Sequence, residues 1–258
     1  VFSEELRGKW FMRFKRPANL SYVIASGARA GTGLLAHGLW STGRLGRPEE
    51  YFNQADLGLY AKRLNLPPPS SEENPAAYVE AYQKASTTPN GVSGLKVMAG
   101  SLTTIAEMIG CDAQASPTAV LLALGVSLVV VCTRNDKVAA AVRQWRAQQT
   151  GEFKRFGNSA AVSSESIGYP SDESVAHLLE YGKYSDAVWS SLDCDRIGVI
   201  RLVYEEFVED LPGTIHQISE ALQVRPPRIP QGSDLPIQVK DEAMDSFIAD
   251  YNQRHPPP

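Results

Sequence analysis

The chain has 258 residues, 43% of them hydrophobic, which suits one large domain and excludes a disordered polymer. Its 25 basic and 29 acidic side chains give a net charge of -4. That balance excludes the broad basic face of a nucleic-acid binder, though not a local arginine cluster around one small anion.

From the N-terminus onward, no signal-peptide pattern is seen, and Val1 in place of Met suggests a chain trimmed from something longer. Ser21–Ser26 reads as a buried strand. The stretch "YVIASGARAGTGLL" (Tyr22–Leu35) then passes through small residues into a helix. A strand, a turn and a helix of this kind aim backbone N–H groups at one point, where the helix dipole adds partial positive charge. Arg29 would add a charged fork for a phosphate or sulfate, or pair with a carboxylate in an ordinary turn. No Gly-Lys-Ser/Thr follows and no Gly-x-Gly-x-x-Gly is present, which disfavours a nucleoside triphosphatase or phosphotransferase of the usual P-loop type. Thr32 is the only hydroxyl in the loop core.

Glu49 and Glu50 follow Pro48 and are expected in a first helical turn, where acidic side chains offset the dipole. "LPPPSSEENP" (Leu66–Pro75) is a loop. Leu95–Met98 is a second strand, and its Lys96 needs an anionic partner if buried, or reaches solvent from the strand edge. Leu102, Ile105 and Ile109 show helical spacing. "AVLLALGVSLVVVC" (Ala119–Cys132) is too short to span a bilayer and reads as a helix end, a turn and a buried strand, Ser127–Thr133. Val138, Ala141, Val142 and Trp145 mark a helix with Trp145 on its core stripe. Arg134 sits between that strand and helix, free to meet a ligand or Asp136. Arg143 and Arg146 fall on the other face, Arg143 towards solvent. "GNSAAVSSESIGYP" (Gly157–Pro170) is a loop or lid, followed by a strand at Ile197–Val203 and a helix carrying Pro212 early and Ile215, Ile218 and Leu222 on one face. "RPPRIPQGSDLP" (Arg225–Pro236) is a loop. Met244, Phe247, Ile248 and Tyr251 form a last amphipathic helix, and residues 255–258 are a tail.

Strands alternating with helices predict an α/β fold in one domain, residues 1–258: a parallel sheet with helices on both faces and ligands beyond the carboxyl ends of the strands. Cys111, Cys132 and Cys194 form no CxxC pair and are expected in or near the core. His37, His177, His216 and His255 have no HxxxH or HExxH spacing. No metal is expected, and a reducing, cytoplasmic setting is.

"YVIASGARAGTGLLAHGLWSTGRLGRPEEYF" (Tyr22–Phe52) resembles the opening of bacterial trehalose-2-sulfotransferases and their relatives. "TPNGVSGLKVM" (Thr88–Met98), "TRNDKVAAAVRQWRAQQT" (Thr133–Thr150) and "RLVYEEF" (Arg201–Phe207) extend the likeness in the same order; Gly151 to about Asp172 is hard to match. The resemblance implies the P-loop nucleotide-kinase-like sulfotransferase fold. It implies 3′-phosphoadenosine-5′-phosphosulfate as sulfuryl donor, and adenosine 3′,5′-bisphosphate as what remains of it. The acceptor would be a hydroxylated small molecule or glycolipid, and relatives of this kind are often homodimers. The likeness carries the 5′-phosphosulfate loop to Arg29, Ala30, Gly31, Thr32 and Gly33, the 3′-phosphate to Arg134 and the general base to Glu50. Arg29 and Lys96 are the candidate cations for the leaving group. Three positions depart from the family: Ala30 and Gly33 replace loop hydroxyls, and Ala139 replaces a serine after the phosphate arginine. These favour an alternative, a catalytically altered nucleotide-binding protein on the same scaffold. Arg47 replaces an acidic residue that would meet trehalose, and suits an acidic or larger acceptor.

Overall fold

A computed structural model describes residues 20–67, 75–112, 114–156, 167–225, 235–237 and 241–256. Its elements in chain order are β1 (Leu20–Ser26), α1 (Thr32–Ser41), α2 (Leu57–Arg63), α3 (Pro75–Ser86), β2 (Val92–Met98), α4 (Leu102–Met108), α5 (Pro117–Ala123), β3 (Leu128–Thr133), α6 (Lys137–Thr150), β4 (Arg155–Phe156), α7 (Asp172–Ser190), β5 (Gly198–Val203), α8 (Tyr204–Phe207), α9 (Leu211–Ala221), β6 (Pro236–Ile237) and α10 (Glu242–Arg254). The four expected strands pair in parallel in the order β2-β1-β3-β5. The second strand begins at Val92, ahead of the expected Leu95. The short β4 and β6 form a separate antiparallel pair.

Period-two alternation sorts the strand residues onto two apolar layers. Val23, Ala25, Leu95, Val97, Val129 and Val131 pack with Tyr78 and Tyr82 of α3, Ile105 of α4 and Trp189 of α7. Tyr22, Ile24, Val130 and Cys132 pack on the opposite side with Leu35 and Leu39 of α1 and Ile215 and Ile218 of α9. Each fully buried aliphatic chain of this size contributes about 1.5–3 kcal/mol. A third cluster joins α6, α7 and α10 through Val142, Val175, Met244, Ile248 and Tyr251. Pro212 lies in the first turn of α9, where its missing N–H costs nothing. The cysteines are split: Cys132 is buried and Cys111 half-buried, whereas Cys194 is exposed. The expected lid (157–170) falls largely outside the described residues, as do most of the loops at 66–75 and 225–236 and the end of the tail.

Register brings the strand ends together. Ser26 stands opposite Met98 in β2 and Cys132 in β3, and Thr133 stands opposite Val203 in β5. The residues that follow, Gly27 to Gly31, Arg134 and Tyr204, therefore share one edge.

The segment carrying Glu49 and Glu50 is not a helical turn. It runs extended beside β2: Glu49 bridges Leu95 in parallel, and Lys96 N–H donates to the Glu49 carbonyl at 3.0 Å. Backbone pairing to an otherwise open sheet edge outweighs the local preference of Pro-Glu-Glu for a helix start. Gly46 admits the segment. Its φ is 72°, and a Cβ there would lie 2.4 Å from the Gly94 nitrogen. Gly46→Ala is expected to cost at least about 1–2 kcal/mol from left-handed backbone strain alone, before the collision with β2 is counted. Chemical denaturation of this variant against the parent measures the loss.

Candidate functional site

The turn after β1 is left-handed twice. Arg29 has φ 58° and Gly31 has φ 73°. Gly31 caps α1, where no side chain accepts from the first-turn amides. Leu34 N–H donates to the Gly31 carbonyl at 3.0 Å, and the N–H groups ahead of it lie at the helix's positive end. A Cβ on Gly31 would lie 2.4 Å from Tyr204 Cδ2 and 2.7 Å from Phe207 Cζ. The aromatics of "RLVYEEF" thus form the floor on which the turn rests. Thr32 is buried within the turn, and Ala30 packs into the α1 layer.

Arg29 meets no carboxylate among the described residues. Its Nη1 donates instead to the Phe153 carbonyl at 2.8 Å. Burial, reinforced by repulsion from Arg134 and Arg143, holds its pKa below the ordinary arginine value. Arg134 donates from Nη1 to the Arg29 carbonyl at 3.2 Å, and its guanidinium carbon lies 4.6 Å from the Tyr204 ring centre. Its nearest carboxylate is Glu205, at 3.8 Å, rather than Asp136, which caps α6 by accepting from Ala139 N–H. The buried Arg134 Nε has no hydrogen-bond acceptor among the described residues. Burial also depresses the Arg134 pKa, followed by repulsion from Arg143. Burial opposes charge on Glu205, but the amides of Asn135 and Asp136 and the charge of Arg134 together keep it below the usual carboxylate range. Arginine charge is therefore concentrated on one backbone turn.

Gly27, Ala28, Ala30, Thr133, Arg134 and Lys137 border a cleft beside that turn, with Leu178, Leu179 and Tyr181 of α7 on its far wall. The empty space within it, open solvent included, is about 490 Å³. Ala139 faces away from this edge and into the α6, α7 and α10 cluster.

Lys96 pairs in register with Ile24 and so points to the α1 side of the sheet. It is 8% exposed and does not reach solvent from a strand edge. Its Nζ donates to Glu50 Oε1 at 2.6 Å. The partner that burial demands is thus supplied by the chain itself. Burial would raise the Glu50 pKa, but the charge and hydrogen bond of Lys96 and the charge of Lys154 outweigh it and leave it lowered. Lys154 went unnoticed in the sequence because it lies in the stretch after Gly151 that matches no motif. Burial and the charge of Lys96 lower its pKa in turn.

Arg47 and Glu49 serve each other. The Arg47 Nε donates to Glu49 Oε1 at 2.8 Å, Arg63 lies 3.8 Å from Glu49 Oε2, and Arg47 stacks 4.6 Å from the Trp40 ring centre. Both members of the closer pair are buried. Arg47 is therefore committed to the scaffold, and the case it made for an acidic acceptor falls away. Arg143, expected towards solvent, is half-buried. Arg143 bonds Asp245 at 2.8 Å, and the buried Arg146 bonds Asp241 at 2.7 Å and Glu152 at 3.0 Å.

A parallel sheet covered on both faces, with its polar cluster gathered at the carboxyl edge, places the chain among the α/β proteins whose ligands sit at that edge. Residues 21–254 match the family model described as Stf0 sulphotransferase, and the chain belongs to that family. Solved structures to which the chain is similar include a sulfotransferase from Alicyclobacillus acidocaldarius, 15% identical over 93% of this chain and 94% of that one, TM-score 0.42. Another is the sulfotransferase domain of the Synechococcus PCC 7002 olefin synthase, 14% identical over 82% and 75%, TM-score 0.42. A third is the sulfotransferase domain from the curacin biosynthetic pathway, 12% identical over 95% and 94%, TM-score 0.40. No curated protein matches the sequence. Among the described residues no helix is long and apolar enough to cross a membrane, and no group of three or more metal-ligating side chains is assembled.

The Arg47–Glu49 pair generates a stability prediction. Glu49→Ala strands a buried guanidinium and is expected to cost about 3–5 kcal/mol in denaturant unfolding. The double change Arg47→Met with Glu49→Leu, which removes both charges, is expected to cost clearly less.

Proposed function

We propose that this chain moves a sulfuryl group from 3′-phosphoadenosine-5′-phosphosulfate to a hydroxyl of a small-molecule or glycolipid acceptor, in the cytoplasm. The observation that carries the reading is the meeting of Arg29 and Arg134 at one left-handed turn, where Arg134 is bonded to the carbonyl of Arg29 and keeps a buried Nε without a hydrogen-bond acceptor among the described residues. A ligand with two anionic ends fits that arrangement. Arg29, the amides from Ala30 to Gly33 and the Thr32 hydroxyl would hold the 5′-phosphosulfate, and Arg134 the 3′-phosphate. Family membership supports the choice of sulfuryl transfer over phosphoryl transfer, and the three cysteines without a disulfide among the described residues suit the compartment.

In such a displacement the acceptor oxygen forms a bond to sulfur as the bond from sulfur to the 5′-phosphate oxygen breaks, and the electron pair stays on that oxygen. Fixed cations and oriented amides stabilise the spread charge. Glu50 would take the acceptor proton. Its lowered pKa keeps it a carboxylate at neutral pH, ready to accept. Lys96, bonded to Glu50, would face both the base and the leaving oxygen. A second reading, nucleotide binding without turnover, draws on the same contact, since a carboxylate held this tightly by a lysine is a weak base.

Two measurements test these assignments. Adenosine 3′,5′-bisphosphate is expected to raise the thermal midpoint more than ATP, by mass action on the native state. Arg134→Ala is expected to weaken the bisphosphate about 10-fold or more while changing adenosine 5′-phosphate little, because only the former carries the 3′-phosphate. Equal responses to bisphosphate and ATP, or equal losses in the variant, would remove Arg134 from the role. Once an acceptor is in hand, Glu50→Gln is expected to lower the single-turnover rate by about 10²–10⁴ with donor binding retained. A parental rate in that variant would mean that another group is the base or that none is needed, whereas a parent that binds donor but transfers to no acceptor would leave the second reading.

A further inference from the structure

We propose that Lys154, carried on the strap between α6 and β4, is the cation that grips the transferable sulfonate of the donor. The inference rests on the donor assignment above and adds a residue to it. Lys154 lies across the start of α1: its Cε and Cγ would come within 3.4 and 3.8 Å of a Cβ on Gly33. Its side chain thus occupies the space over the loop position where the family's hydroxyl is missing. The residue as a whole is solvent-exposed, while its charged end lies close enough to Lys96, Glu50 and Arg29 for burial and their charges to shift its pKa.

The strap is built to hold that lysine in place. Gly151 ends α6 in the left-handed region, and Glu152 accepts from Arg146 at 3.0 Å and from Arg155 at 2.7 and 2.9 Å. Arg146 is anchored in turn on Asp241 of the α10 cap. One residue further, the Phe153 carbonyl accepts from Arg29 itself. Arg155 and Phe156 then pair with β6, and the Phe156 ring lies 4.7 Å from that of His37 in α1. Lys154 is therefore flanked on both sides by fixed residues, one of them bonded to the proposed phosphosulfate arginine.

Its location along the ligand follows from its neighbours. Lys154 feels the charges of Lys96, Glu50, Glu49 and Arg29, and Glu50 feels it in return. It sits on the side of the loop facing the proposed base, whereas Arg134 contacts the turn from β3. The group between loop and base is the one transferred. A sulfonate there would draw the Lys154 ammonium and compete with Glu50 for Lys96, loosening the carboxylate from its lysine as the donor binds.

Calorimetric titration of the whole protein with 3′-phosphoadenosine-5′-phosphosulfate and with adenosine 3′,5′-bisphosphate tests this. Lys154→Met is expected to weaken the sulfated donor about 10-fold or more and the bisphosphate less than about 3-fold, the loss of one charge-assisted hydrogen bond to the sulfonate. Lys154→Arg is expected to recover most of the difference. Equal losses for the two nucleotides, or none for either, would overturn the assignment while leaving the donor itself in place. A parent protein that binds neither nucleotide would overturn the donor reading and this one together. If Lys154→Met fails to fold, Lys154→Gln, read the same way, decides the matter.

Discussion

The left-handed turn from Arg29 to Gly31 is the constraint on which the polar edge depends. A chain leaving β1 must reverse into α1 with its amides exposed, and L-residues resist that backbone. Three groups hold it: the absence of a side chain at Gly31, the aromatic floor of Tyr204 and Phe207, and the Arg134 guanidinium on the Arg29 carbonyl. Those supports come from the ends of β5 and β3, so the loop has its shape only once the sheet is assembled. Sheet order and site geometry are in this sense one fact.

Charge is distributed unevenly around that turn. Glu152, Asp241, Asp245 and Glu49 each neutralise arginines that brace the scaffold. Among the described residues Arg29 has a carbonyl in place of a carboxylate, and Arg134 has the Arg29 carbonyl and a carboxylate 3.8 Å away that is also held by two backbone amides. A net negative chain thus keeps Arg29 and Arg134 without a hydrogen-bonded carboxylate among the described residues, although Glu205 and Glu50 lie at the same edge. Electrostatic attraction for a multiply charged anion follows from that placement rather than from overall composition.

The parallel sheet was legible in the sequence because its strands are continuous apolar runs bounded by helices of clear period, and the family because short motifs recur in order. Arg29, Gly31 and Arg134 could be placed because they follow strands directly, and strand ends converge. What escaped was set by tertiary pairing. The Pro-Glu-Glu segment carries a helix-start signal, yet an open sheet edge captured it. Along the chain Arg47 looks like an acceptor contact and Arg146 like a charge off the apolar stripe, and only the folded structure brings Glu49, Asp241 and Glu152 against them. Lys154 belongs to no motif; it is positioned by a helix cap, a glutamate bridge and a strand pair that are local only in space.

The Lys96–Glu50 contact unites the two sides of the proposed chemistry. A buried lysine within a strand would be costly without an anion, and a half-buried carboxylate gains from a cation, so the pair satisfies both. The same pairing lowers the Glu50 pKa and so would make it a weak base in the proposed reaction. A sulfonate bound as proposed would be a second anion for the same cation, and sharing Lys96 would weaken its attraction for Glu50. The lowering of the Glu50 pKa would then be relieved as the donor arrives. On the proposed reading, donor binding and base strength would be coupled through the Lys96 ammonium, because one cation serves both anions.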